Sequence, residues 1–449
     1  MKYLRIFKKE SDYTDYVDSG GNDYITPHLI LINKNSNVKY KTYDITQDYC
    51  TIEALEDDLT VSFSENIIQY SIDNCQTWKY LNLGESTPTI KAREKISFKA
   101  TGLIPTENHG IGTFTINKNF NLRGNVMSML FGDDAKDKTD LTGYDYAFKN
   151  LFKNCNTLKT ISQYFLPATK LSKDGYNSMF NSCIQLKSTP KKLLPALVLN
   201  KGCYNSMFYN CVQLIEAPEL PATMLVDYCY SSMFKKCTNL LNPPTLSAMT
   251  LAPACYNEMF RECNSLKHFY ELPALNLKND CYNSMFRECS SLLNTPKIHA
   301  IEVDDYCCNA MFYGCTSLQE ASDLYAQELK ISCYNAMFYN CINLKNTPII
   351  HATTLAPYCC NAMFYKCSNI KNVSLNAEEL VDNCYRYIFA SCTNLNHIEA
   401  LFTTIPSSLY TDNWVNGVSP TGTFVKNNNA TWNVNGVNGI PEGWTVETF

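Results

Sequence analysis

The sequence predicts a solenoid of α/β coils, about ten repeats of 25 to 28 residues, preceded by an N-terminal β-sandwich-like domain and closed by a β-rich C-terminal cap. Three observations predict it. The phrase CYNSMFYNC recurs with small changes at near-constant spacing, apolar and polar residues alternate ahead of the first repeat, and the repeat signature stops at residue 401. A chain of 449 residues exceeds what one ordinary core encloses, which suits an extended array. With 45% hydrophobic and 18% charged residues, apolar surface suffices to offset chain entropy nearly throughout.

Residues 1–44 read as an attachment segment. Their opening, MKYLRIFKKESDY, lacks the apolar stretch of roughly 7 to 15 residues that marks a secretory signal, so synthesis in the cytoplasm is expected if the chain starts here. Residues 45–142 read as the β domain and its junction. Leu59-Thr60-Val61-Ser62-Phe63 and Ile68-Gln69-Tyr70-Ser71-Ile72 alternate, a polar turn precedes Trp78, and KAREKISFKA at 91–100 fits a further strand. Period-2 segments separated by turn residues indicate a small sandwich.

Residues 143–400 carry the repeats. A central aromatic falls at Phe152, Phe180, Phe208, Phe234, Phe260, Phe286, Phe312, Phe338, Phe364 and Phe389, in steps of 28, 28, six of 26, and 25. A cysteine follows three residues later and an aliphatic residue three beyond that. These columns make the expected core: Phe208, Cys211 and Leu214; Phe234, Cys237 and Leu240; then Phe260 with Cys263, Phe286 with Cys289, Phe312 with Cys315, and Phe338 with Cys341. Within one unit the set Cys203, Met207, Cys211 and Leu214 is spaced four, four and three, which is one face of a helix, with Tyr204 and Phe208 beside it. The remainder, as in Ala217-Pro218-Glu219-Leu220-Pro221-Ala222, is too rich in proline for a helix and reads as a short extended segment and a turn. Each coil is thus expected to be helix plus strand, stacked on its neighbours.

The 22 cysteines fall into this scheme. Ten form the complete column, eight form a second column five residues before the aromatic, from Cys203 to Cys384, and Cys50, Cys75, Cys308 and Cys360 stand outside both. The two column cysteines of one unit lie about 12 Å apart along a helix, beyond the Cα separation of roughly 4.4 to 6.8 Å that a disulfide permits. Cysteines of adjacent coils come within about 5 Å, so distance alone leaves bridges between coils open. Parallel inward side chains and the ease with which free cysteine packs favour a reduced ladder. Residues 401–449, with Asn413-Trp414, Thr421-Gly422-Thr423-Phe424-Val425 and Gly439-Ile440-Pro441-Glu442-Gly443-Trp444, read as the cap that covers the last apolar layer.

These columns resemble leucine-rich repeat proteins of the BspA-like class, in which an aromatic is followed by a cysteine, a leucine and a proline-bearing strand. The version here, CYxxMFxxCxxL followed by LPA as at Leu194-Pro195-Ala196, Leu220-Pro221-Ala222 and Leu272-Pro273-Ala274, is similar to repeats of gut Bacteroidales and their crAss-like phages. Residues 26–40, TPHLILINKNSNVKY, resemble amino-terminal stretches of virion proteins of those phages. Cys308 and Cys360 depart from the pattern by replacing the tyrosine, and His299 and His351 by standing where Pro221 and Pro273 do. The resemblance implies a leucine-rich-repeat solenoid and leaves the binding task open.

No catalytic residue, cofactor or metal is expected. His28, His109, His268, His299, His351 and His397 occur in no CxxC or HExxH context, and His299 and His351, two coils or about 10 Å apart, are too distant to share a metal. A cysteine repeated ten times indicates packing, since a nucleophile needs one paired base and an exposed setting. With 38 basic against 43 acidic residues and no run of Lys or Arg, nucleic acid is not an expected partner. No apolar stretch approaches the roughly 20 residues that cross a bilayer.

The residue after the column aromatic, Tyr209, Lys235, Arg261, Arg287, Tyr313, Tyr339 and Tyr365, lines one edge of the stack. It is either a solvated helix face or a recognition surface for a host protein or glycan. The expected function is a non-enzymatic phage virion protein of fibre or decoration type. It would dock to other virion proteins by its N-terminal region and display the solenoid, with homo-oligomerisation open. The alternative is a bacterial cell-surface leucine-rich-repeat adhesin, and the location is accordingly the virion or the bacterial surface.

Overall fold

The computed structural model describes residues 28–32, 38–42, 45–405 and 407–449. The attachment segment expected at 1–44 lies outside the described residues, except for β1 (His28–Ile32) and β2 (Val38–Thr42). These pair antiparallel with His28 opposite Thr42.

From residue 45 the alternating text forms strands: β3 (Cys50–Ala54), β4 (Val61–Phe63), β5 (Ile68–Ser71), β6 (Lys79–Leu81), β7 (Lys95–Lys99), β8 (Phe114–Ile116) and β9 (Phe120–Gly124). One sheet has the order β9-β3-β7-β5-β6, extended beyond β9 by a strand of the first coil, and β4 pairs with β8. Strand β10 (Leu158–Ile161) belongs to the first coil and runs parallel to β9, so the sheet continues directly into the repeats. Gly124 ends β9 at a φ of 77°, where a Cβ would collide with the Tyr49 carbonyl. A single turn of helix, α1 (Ser128–Phe131), follows.

The coils themselves overturn the expected helix. The protein is a mostly-β solenoid, and among its described residues helix is confined to α1 and two short 3-10 segments. The segment Cys203 to Cys211 is a run of tight turns with an exact period of four. Gly202, Ser206 and Asn210 have φ of 62°, 55° and 59°, and the same three places recur in the other coils, as at Tyr306, Ala310 and Gly314 or Tyr358, Ala362 and Lys366. A left-handed residue every fourth position excludes an α-helix, whose φ is near −63° throughout.

The backbone accounting explains why the arrangement is stable. Alternate amides close turns onto the carbonyl three residues back, as Met207 N to Tyr204 O and Tyr209 N to Ser206 O. A positive φ at the third residue, as Ser206 has between Tyr204 and Met207, is what a type II turn requires. The other amides donate to the next coil: Tyr204 to Cys229, Ser206 to Ser231, Phe208 to Met233 and Asn210 to Lys235. Every buried amide in the segment therefore has a partner, which a lone coil could not provide. Burial follows the same period: Cys203-Tyr204 and Met207-Phe208 point inward, while Asn205-Ser206 and Tyr209-Asn210 are partly exposed.

Stacking the turns stacks the side chains. The phenylalanine column is an unbroken file, with ring centroids 5.6 Å apart for Phe180–Phe208, 5.7 Å for Phe208–Phe234 and 5.5 Å for Phe338–Phe364, all near parallel. A buried tyrosine file from Tyr176 to Tyr282 runs beside it and is interrupted at Cys308. Each cysteine of the complete column fills core space and also bonds. The Cys211 thiol donates to the Phe180 carbonyl of the preceding coil (3.2 Å), Cys237 to Phe208 (3.1 Å) and Cys341 to Phe312 (3.1 Å). The phenylalanine carbonyl already accepts the amide of its own coil's cysteine, so the thiol uses its second lone pair. All 22 cysteines are free thiols.

The opposite side of each coil is extended chain joined by parallel pairing. It forms β11 (Glu271–Leu272) with β12 (Lys297–Ile298), and single bridges such as Glu216 to Asn242 and Asn294 to Glu320. Residues 401–449 lose the repeat phrase yet keep the geometry. Strands β13 (Asn372–Leu375), β14 (His397–Ala400), β15 (Thr423–Lys426) and β16 (Thr445–Thr448) form one parallel sheet. Phe389 N donates to Trp414 O as it would to the next column residue, and the buried Trp414 ring stands next in the file, 6.4 Å from Phe389.

Candidate functional site

The turn side carries the row singled out from the sequence. Because Tyr209 and its equivalents precede the left-handed residue of the last turn, their side chains leave the core at the same angle in successive coils. The structure brings Tyr209, Lys235, Arg261, Arg287, Tyr313, Tyr339 and Tyr365 into one line, each half-buried. They form turns and not a helix face.

Much of that line is engaged with itself. The Tyr313 and Tyr339 rings stack at 4.5 Å and the Tyr339 and Tyr365 rings at 4.7 Å, and the Arg287 guanidinium caps the stack 4.3 Å from the Tyr313 centroid. The basic stretch is neutralised by carboxylates, across coils at Lys235 and within the coil at Arg261 and Arg287. Lys235 Nζ lies 2.8 Å from Glu258, Arg261 contacts Glu258 and Glu262, and Arg287 contacts Glu288. Burial alone would push the Glu258 carboxyl up, but hydrogen bonds and charge from Lys235 and Arg261 outweigh it and hold the group below its usual range. The line therefore presents ring edges and hydroxyls, with most ring faces and charges already satisfied.

The extended side has a feature that sequence reasoning missed. Regular coils are tied by rungs such as Ile215 N to Lys187 O, Leu241 N to Ile215 O, Leu293 N to Lys267 O and Gln319 N to Leu293 O. Between residues 241–250 and 267–276, among the described residues, no backbone hydrogen bond is made, although both stretches are bonded to their outer neighbours.

Two local causes are visible. Ala217 N donates to Asn242 O and Thr295 N to Glu320 O, whereas the equivalent position of the intervening coil is Pro243, followed by Pro244, which have no N–H to give. In the next coil the equivalent residue is Phe269, where neighbours carry Ala217, Thr295 or Ala321. Its ring enters the core and packs edge-on to Phe286 at 5.1 Å and tilted to Phe260 at 5.5 Å. Its strand pairs with the following coil, Glu271 opposite Lys297 and Leu272 opposite Ile298.

The result is a cleft of about 410 Å³ along the seam, within the range of small-ligand sites. Its walls include Leu241, Pro243, Pro244 and Phe269, and Asn242, Lys267 and Glu271 supply polar groups. Tyr270 stands at the lip with 87% of its surface exposed and no ring partner among the described residues, unlike the stacked tyrosines of the turn side. The side chains of Asn242 and Lys267 make no hydrogen bond within the protein among the described residues, and Glu271 has only His299 Nε2, at 3.6 Å. The readable signal was Pro243 and Phe269 in a slot that other coils fill with Ala217, Thr295, Ala321 or Thr347.

The remaining candidates are placed as follows. His351 stacks on Tyr325 at 5.2 Å, and no group of three or more His, Cys, Asp or Glu that could hold a metal occurs among the described residues. Burial pushes the Cys211 and Cys289 thiols up to about 12, which keeps them protonated as donors. No helix among the described residues is long and apolar enough to cross a membrane.

No protein-family model and no curated protein matches the chain. Among solved structures, a chain from the crystal structure of a TLR13–ssRNA13 complex aligns at 14% identity and a TM-score of 0.24. The alignment covers 63% of this chain and 41% of that one.

Proposed function

We propose that the protein is a non-enzymatic recognition and display protein: a leucine-rich-repeat-type solenoid, about ten coils deep, that follows a sandwich-like N-terminal domain. In this reading it belongs to a phage virion as a fibre or decoration component, docks to other virion proteins by its N-terminal region, and offers the solenoid to a host surface protein or glycan. The observation that carries recognition is the seam cleft, where backbone pairing between two coils lapses and a concavity is lined by unpaired polar side chains and a free aromatic ring. The virion assignment rests on the resemblance of the repeats and of residues 26–40.

Two measurements test it. Labelled full-length chain should bind host cells saturably and be displaced by unlabelled chain; absence of saturable binding contradicts recognition. Mass spectrometry of purified virions should find the chain at stoichiometric level. Its presence in bacterial envelopes and absence from virions would replace the virion by the cell-surface adhesin.

A further inference from the structure

The geometry points to a carbohydrate as the occupant of the seam cleft, with Tyr270 as the platform for a pyranose ring. This assignment rests on the recognition reading and names its ligand class.

A sugar ring is amphipathic: its axial C–H groups form an apolar face and its hydroxyls project around the edge. The cleft has the complementary layout. Tyr270 offers an uncovered aromatic face at the lip, and the Pro243-Pro244 and Phe269 walls are apolar without being flexible. Around them stand a carboxylate (Glu271), an amide (Asn242) and an ammonium (Lys267), groups that accept from and donate to vicinal hydroxyls.

A peptide strand fits less well. Strand addition draws its affinity from a continuous row of backbone donors and acceptors, and one wall of this seam begins with two prolines that donate nothing. The turn-side tyrosines are poorer platforms, because Tyr313, Tyr339 and Tyr365 cover one another's faces.

The test is titration of the full-length chain with a panel of neutral and acidic oligosaccharides of two to six sugars, followed by calorimetry on any that bind. At least one class should bind saturably, and Tyr270→Ser should weaken it at least tenfold with no change in thermal midpoint, while Tyr80→Ser, on an exposed edge strand far along the chain, leaves it unchanged. Equal binding by Tyr270→Ser overturns the assignment, as does a panel with no binder. Displacement of the host-cell interaction by short peptides and not by sugars also overturns it, while recognition itself stands. Loss of cell binding in the parent chain would instead overturn the recognition reading on which this one rests.

Discussion

Glycine placed at the left-handed positions separates the two ways of building a coil by the sign of its effect. Ala336 and Ala362 have φ of 51° in the structure and are partly exposed, so little buried surface is lost when the methyl group is removed. An L-residue held in that region costs about 1–2 kcal/mol, which glycine does not incur. Glycine also loosens the unfolded chain, which takes back about 0.4–1 kcal/mol. Ala336→Gly and Ala362→Gly should therefore each be neutral to stabilising by up to about 1.6 kcal/mol. Their amides, which donate to Asn361 and Arg386 of the next coils, are retained. Were the same residues helical, each glycine would destabilise by about 1 kcal/mol relative to alanine. Ala310→Gly is the instructive control, because its buried methyl offsets part of the gain. Urea unfolding of the single and double variants, followed by tryptophan fluorescence and compared at the midpoint, reads the sign. A loss of about 1 kcal/mol at both Ala336 and Ala362 would refute the turn geometry.

Three other outcomes follow from the same packing. Native protein should expose only Cys75 to a thiol reagent, since every other cysteine is buried, and unfolded protein should expose all 22; a native count well above one contradicts the ladder. Burial holds the Cys211 and Cys367 thiols up at about 12, against roughly 8.5 for a free thiol, so the folded state keeps protons that the unfolded state releases. Stability from these groups is complete below pH of about 8.5 and declines as pH rises toward 12, and an alkaline unfolding curve flat across that window would contradict it. Tyr339→Ser removes stacked contacts with Tyr313 and Tyr365 and should cost about 1–2 kcal/mol in a urea melt; no loss would show that the tyrosine row is merely solvated.

The periodicity and the inward columns were legible because they are written identically in many coils. Local conformation was not. Positions 203, 207 and 211 repeat every four residues, and over so short a run a period of four and a helical period of 3.6 select nearly the same side chains. The discriminating detail was the adjacent pairing, Cys203 with Tyr204 and Met207 with Phe208, which recurs without the drift a helix would impose. The seam was hidden for a different reason. It arises from Pro243-Pro244 and Phe269 facing each other across two coils, a relation that exists only once the register of stacking is known. Spacing names the members of the turn-side row, but their mutual stacking and ion pairing depend on rotamers that spacing does not specify.

Far-ultraviolet circular dichroism of the folded full-length chain tests the architecture most directly. The account predicts a spectrum of strand and turn with no helical double minimum, because the recurring CYxxMFxxC segment is a stack of turns in every coil. A strong helical double minimum would contradict it, and with it the placement of every surface residue that the turns position.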